Sequence, residues 1–268
     1  MTFVNLQVQC MINHSLVDIH IFVSPGVDRP LALLTHSAGA ERDTSRMARL
    51  CALRVRLPQL TGTRWLHVVP DITIGRTAEA AALRNHDKCA VSVVTAANRG
   101  IGLEFVNQLL HRTSGSIIAG CRTPDEALEL QQLAKQHRGR LQLYPLHLES
   151  QDSIEEFQKA VAAETDRVDL LLNVAGVLHD KRFPKAPERA LEHIDREWLT
   201  HSLQVNTIGP LMLTQALKPL LKRRPKDRTR PQAVVANISA RVGSISDNGL
   251  GGWYSYRISK AGELTLSE

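Results

Sequence analysis

The stretch CAVSVVTAANRGIGLEFVNQLLHR, residues 89–112, decides the fold. Its first seven residues form a short apolar run with β-branched side chains, which suits a buried strand. Gly100 and Gly102 then mark a turn, and Leu103, Val106 and Leu110 recur at helical spacing beyond it. The reading is strand, turn, helix. The same alternation continues with strand SIIAGC (116–121) before a helix at 124–137, and strand LQLYPLHL (141–148) before a helix at 151–164. Strand VDLLLNVA (168–175), a long helix from about Glu197 to Lys222 and strand AVVANIS (233–239) complete the series. Strands alternating with helices of about ten or more residues imply right-handed crossovers and a parallel sheet covered on both faces. The expected fold class is α/β, a doubly wound parallel sheet of the Rossmann type.

Composition agrees with a packed domain. The chain has 268 residues, 43% apolar and 22% charged, with 33 basic against 27 acidic groups and a formal net charge of +6. These values exclude a wholly disordered or collagen-like chain. No apolar run approaches the roughly 18 residues of a membrane span, and residues 1–24 lack the basic start and apolar block of a secretory signal. Cys10, Cys51, Cys89 and Cys121 stand far apart without a CxxC spacing, which argues against a metal site and against a disulfide framework. A reducing, cytoplasmic setting is expected.

Charge divides the chain. Residues 1–87 hold nine arginines and no lysine, whereas residues 88–268 hold nine lysines among 24 basic groups. The expected division is an N-terminal extension, 1–87, and a nucleotide-binding domain, 88–268. From Thr44 to Pro70 there is no acidic residue, and Arg46, Arg49, Arg54, Arg56 and Arg64 interleave with apolar residues as in a mitochondrial transit peptide. A poorly ordered basic extension is an equally good reading. LVDIHIFVS (16–24) alternates like a strand but has no evident partner. KRRPKDRTRP (222–231) carries six basic groups without interleaved aromatics, so a solvated loop is expected there rather than a nucleic-acid contact.

TAANRGIG (95–102) lies where a dinucleotide's pyrophosphate would rest, because glycines let the backbone approach phosphate and a helix N-terminus offers unpaired N–H groups. With LLLNVAG (170–176), VNTIG (205–209) and YRISK (256–260), it resembles the motifs of the short-chain dehydrogenase/reductase family in order and spacing, over Lys88 to Glu268. SARVGSISDNGLGGWYSYRISK resembles the C-factor and carbonyl-reductase-like branch. The resemblance implies an oxidoreductase that interconverts a small-molecule carbonyl and an alcohol by hydride transfer, and relatives that commonly form dimers and tetramers. It implies a cofactor site of Thr95, Asn98, Arg99, Gly100, Ile101, Gly102, Arg122, His147, Leu148, Asn173, Ala175, Gly176, Tyr256 and Lys260.

Cofactor choice follows from position 122, about 20 residues beyond the turn, where the adenosine ribose is read. An acidic residue would repel a 2′-phosphate, whereas the guanidinium of Arg122 pairs with one and Arg99 adds a second cation, so NADP(H) is expected. Tyr256 and Lys260 are four apart and share a helix face, and an ammonium favours phenolate, which suits Tyr256 to proton exchange. The resemblance gives Lys260 a hydrogen bond to the nicotinamide ribose and Asn206 a water on the path from lysine to solvent. Tyr254 has no such lysine, since Ile258 follows it by four, and is expected to pack or to line the substrate's wall.

Departures from the family pattern are also legible. Ala96 replaces a glycine of the turn, His147 an aspartate near the adenine, and Val174 an asparagine. The serine expected three residues before Gly243 is Ala240, so either a bulge turns Ser239 toward the site, the favoured reading, or Ser244 or no serine serves. Glu268 lies eight residues beyond Lys260, short of the family's last strands and substrate loop. The expectations are a chain truncated at that end, strand 233–239 as an unprotected edge, and weak turnover or nucleotide binding alone, with pairing to a full-length relative as a further role.

Overall fold

The computed structural model describes residues 4–12, 15–25, 74–222, 230–246 and 248–265. Its centre is a parallel sheet in which β3 (Val91–Thr95) lies between β4 (Ser116–Cys121) and β6 (Leu170–Asn173). β5 (Leu141–Pro145) pairs with β4, and β7 (Val234–Ser239) pairs with β6. The order β7-β6-β3-β4-β5 reverses direction of travel at β3, which opens a crevice at the strands' C-terminal ends. Every residue of β3 is buried, as a central strand covered on both faces requires.

Side chains sort onto the two faces with the period of the pleat. Val94, Ile117, Ala119 and Leu172 face α2 (Gly100–Arg112) and α3 (Leu128–Gln136), meeting Val106, Leu110 and Leu130. Val91, Val93, Ile118 and Leu171 face α4 (Gln151–Glu164) and α6 (Gly209–Leu221), meeting Ile154, Phe157, Val161, Leu213 and Leu217. α4 starts where Ser150 caps it, the side chain accepting from Ser153 N–H. α5 (Arg196–Leu203) starts at Asp195, which accepts from Trp198 N–H in the same way. The long helix read from Glu197 to Lys222 is α5 and α6 joined through one π-helical turn, Gln204–Ile208.

The N-terminal extension corrects two expectations. β1 (Val4–Ile12) and β2 (Ser15–Pro25) pair antiparallel, and β2 continues antiparallel onto β7 with His20 opposite Ser239 and Pro25 opposite Val234. The strand read at 16–24 therefore has two partners, and β7 is an inner strand, not an edge. Backbone N–H and C=O groups that would face solvent on β7 are satisfied by a segment more than 200 residues earlier in sequence. Residues 74–86 form α1 (Ile74–His86). The arginine-rich segment at 44–70 lies outside the described residues.

At the opposite ends of the strands, Asp169 is buried and organises a polar knot. It accepts from Val91 N–H at 2.9 Å, from Arg167 Nη2 at 2.6 Å and from Arg230 Nε at 2.7 Å. Arg230 belongs to the basic run read as a solvated loop, yet only 8% of it is exposed. Its guanidinium also donates to Val168 O, so this end of the run is structural. Arg84 of α1 donates to Gln232 O, which ties the extension's helix to the same end of the sheet.

Candidate active site

The turn after β3 is built as its sequence required, with one strain. Ala96 takes a φ of +51°, a left-handed conformation that glycine adopts at no steric cost and alanine does not. Gly100 follows at +56° with open space where a side chain would stand, and it begins α2. Gly102 is obligatory for packing, since a Cβ there would strike the Ala96 carbonyl. No side chain caps the N-terminus of α2, so its first N–H groups point toward the crevice unshielded by a cap. Arg99 and Arg122 are both exposed at this rim, and His147 is half-buried beyond β5.

Four residues expected at the cofactor serve the framework through their side chains. Thr95 is fully buried: its hydroxyl donates to Leu172 O and accepts from Val174 N–H at 2.9 Å and Ala175 N–H at 3.2 Å. Asn173 is fully buried and donates to Asn237 Oδ1 at 2.8 Å. Leu148 lies in the core beside Gly209, and Ala175 is buried in the same cluster. None of these four side chains opens onto the crevice, although Thr95 fixes the backbone that does. Asn98 is half-buried, Gly100 and Gly176 are exposed, and Ile101 packs its side chain against the core; the open space at Gly100 and the uncapped start of α2 fit a dinucleotide's pyrophosphate along the turn.

The second half of the site converges on Gly176. A Cβ there would lie 3.4 Å from Lys260 Nζ and 3.6 Å from Asn206 Oδ1, so the absent side chain leaves the room between them. Asn206 sits in the π-helical turn, a distortion that recurs at functional sites. Its amide donates to Val177 O and to Ser259 Oγ, both at 2.9 Å, while its carbonyl oxygen accepts from Val177 N–H at 2.7 Å. It thereby locks the loop after β6 to α7 (Tyr254–Thr265).

On α7, Tyr256 is half-buried and Lys260 is buried, one turn apart, with the ammonium 5.9 Å from the phenol ring's centre. Lys260 Nζ donates to Ile238 O at 2.8 Å and to Glu263 Oε2 at 2.7 Å. Glu188 fixes the start of the helix, accepting from Ser255 Oγ and Ser255 N–H, and its backbone carbonyl accepts from Trp253 N–H. Arg257 holds the preceding loop to the helix through Gly252 O and Val242 O. Tyr254 is half-buried at the first position of α7, and Trp253, not Tyr254, is the ring packed edge-on to Tyr256 at 6.3 Å.

The bulge expected before Ser239 is not there. β7 keeps unbroken register with β6 and with β2, so Ser239 stays on the strand's inner side. Its hydroxyl donates to Lys260 O at 3.1 Å, and Ala240 takes the next, oppositely directed position. Ser244 pairs with Ser246 in the exposed loop. Glu188, Ser259 and Glu263 were missed by sequence reasoning. Glu263 could have been found, because a carboxylate three residues beyond a lysine shares its helix face; Glu188 joins the site only through the fold.

Asn206 and Lys260 thus meet beside Gly176, Tyr256 stands one helical turn from Lys260, and Thr95 bonds the start of the glycine turn to the loop that carries Gly176. Residues 90–268 match the family model described as short chain dehydrogenase. The chain belongs to the short-chain dehydrogenase family. Among solved structures, an NADPH-bound carbonyl reductase from chicken fatty liver is 34% identical with a TM-score of 0.58, covering 66% of this chain and 71% of that one. The carbonyl reductase Sniffer of D. melanogaster is 28% identical with a TM-score of 0.58, over 66% of this chain and 71% of its own. An uncharacterized oxidoreductase of Schizosaccharomyces pombe is 32% identical over 180 residues, which is 66% of this chain and 65% of that protein. The chain spans between 54% and 65% of the length of the first three curated relatives it matches. No helix among the described residues is long and apolar enough to cross a membrane.

Proposed function

We propose that the protein is an NADP(H)-dependent oxidoreductase that interconverts a small-molecule aldehyde or ketone with its alcohol. The observation that carries this reading is the meeting of Lys260 and Asn206 beside Gly176, with Tyr256 one helical turn from Lys260 and the start of the glycine turn bonded through Thr95 to the backbone just before Gly176. The turn's backbone and the N-terminus of α2 hold the pyrophosphate, and Arg99 and Arg122 meet the 2′-phosphate as charge-assisted donors. A nicotinamide held by these residues would supply, or accept, the hydride exchanged with the carbonyl carbon. Tyr256 gives its phenolic proton to the carbonyl oxygen during reduction and takes it back during oxidation. Lys260 supports the transient phenolate by its positive charge, and Asn206 holds the loop at Val177 that walls the site.

A second reading is a protein that binds the nucleotide without turnover. The methyl group of Ala240 and the occupied hydroxyl of Ser239 favour it, since no serine described here is aimed at a carbonyl above Tyr256. NADPH fluorescence titration together with absorbance-monitored NADPH oxidation over an aldehyde and ketone panel separates the two. Binding with oxidation supports the first reading, binding alone supports the second, and absence of both binding and oxidation removes both.

A further inference from the structure

The mechanism leaves one ionisable group unused. Glu263 is fully buried on α7, and one of its oxygens, Oε1, has no hydrogen-bond partner among the described residues. Its other oxygen holds Lys260 Nζ at 2.7 Å. With Ile238 O accepting as well, two of the ammonium's three hydrogens are directed into the protein, leaving one for anything that enters beside Gly176. A carboxylate at that distance also offsets the positive charge that Lys260 presents to Tyr256.

We propose that Glu263 is a positioning residue that retains the Lys260 ammonium while ionised and yields it to the nicotinamide nucleotide when protonated. This rests on the nucleotide reading above. Burial pushes the Glu263 carboxyl up to about 7, against the opposing pull of Lys260. The group therefore changes charge near neutral pH. Among the described residues, the charged groups packed against α7 are Arg196, Glu197 and His201 on α5, Arg241 in the turn after β7 and Glu188, which accepts from Ser255; α7 itself adds Arg257. His20 stands opposite Ser239 in the register of β2. Of all charged groups, Lys260 is the one that sets the carboxyl's titration alongside burial. Above about pH 7 the ion pair retains the ammonium; below it the neutral acid is a weaker acceptor and the third contact forms at lower cost.

The test is NADPH fluorescence titration from pH 6 to pH 8.5 on the full chain, as wild type, Glu263→Gln and Glu263→Leu, with circular dichroism to verify folding. Glutamine keeps the acceptor without the charge, and leucine serves should glutamine disturb the helix. The expected result is that wild type and variants bind alike near pH 6, while at pH 8.5 the variants bind about tenfold more tightly, the equivalent of one charge-assisted hydrogen bond. The difference between the profiles cancels the titration of the nucleotide's own phosphate. Parallel profiles, or weaker binding by the variants throughout, overturn the proposal while the nucleotide reading stands. Failure of all three folded proteins to bind at any pH overturns the nucleotide reading and this proposal with it.

Discussion

Ser239 donates its hydroxyl to the backbone carbonyl of Lys260 at 3.1 Å, joining the last residue of β7 to the middle of α7. Both groups are buried, so the bond fixes where the helix bearing Tyr256 sits on the sheet. The alanine variant of Ser239 is expected to lose about 1 kcal/mol of stability, read from urea denaturation. NADPH oxidation by the folded fraction should change little. The reverse pattern, unchanged stability with turnover abolished, would give Ser239 the carbonyl-polarising role instead.

Ala96 carries its methyl group at a φ of +51°. Glycine accepts this conformation without a Cβ penalty, at the expense of more entropy in the unfolded chain. Ala96→Gly is expected to raise stability by about 1 kcal/mol net. Chemical denaturation reads it directly, and a loss of stability would mean that the turn relaxes out of the left-handed region.

Arg122 stands exposed at the end of β4, about 20 residues beyond the turn. Replacing it by aspartate puts a negative charge where a 2′-phosphate would rest. Arg122→Asp should move the NADPH/NADH affinity ratio at least tenfold toward NADH, by fluorescence titration. An unchanged ratio would leave cofactor choice to other residues.

β2 occupies the flank of β7, and removal of residues 1–25 uncovers that strand's ladder. The shortened protein should self-associate through the open edge, seen by light scattering, and melt at lower temperature, about 2–4 °C for each kcal/mol lost. An equally soluble and equally stable shortened protein would show that the hairpin contributes nothing to the sheet.

Most of the framework was legible because its signals are local. Strand SIIAGC and the helix at 151–164 fall where their periodicity put them, and Ala96 declared its strain by replacing a glycine. Tyr256 and Lys260 followed from a four-residue spacing that any helix converts into proximity. What escaped depends on long-range partners. Nothing in LVDIHIFVS names β7 as its neighbour, because a pleated strand exposes the same backbone groups to any edge. Arg230 reads as one more cation in a basic run until Asp169 is placed beside it. Thr95 and Asn173 were placed at the cofactor site by motif position, which does not disclose that their side chains bond Val174 N–H and Asn237 Oδ1. Sequence spacing gives a residue's address on its element and leaves the direction of its hydroxyl or amide to the packing around it.

The most direct test follows NADPH by fluorescence and by absorbance in wild type and Tyr256→Phe with the same carbonyl panel. Both proteins should bind the nucleotide, since its phosphate contacts lie at the glycine turn, Arg99 and Arg122 and survive loss of the phenol's hydroxyl, and only wild type should oxidise it. A folded wild type that leaves NADPH fluorescence unchanged, or a phenylalanine variant that oxidises NADPH as fast as wild type, would contradict the assignment of this crevice.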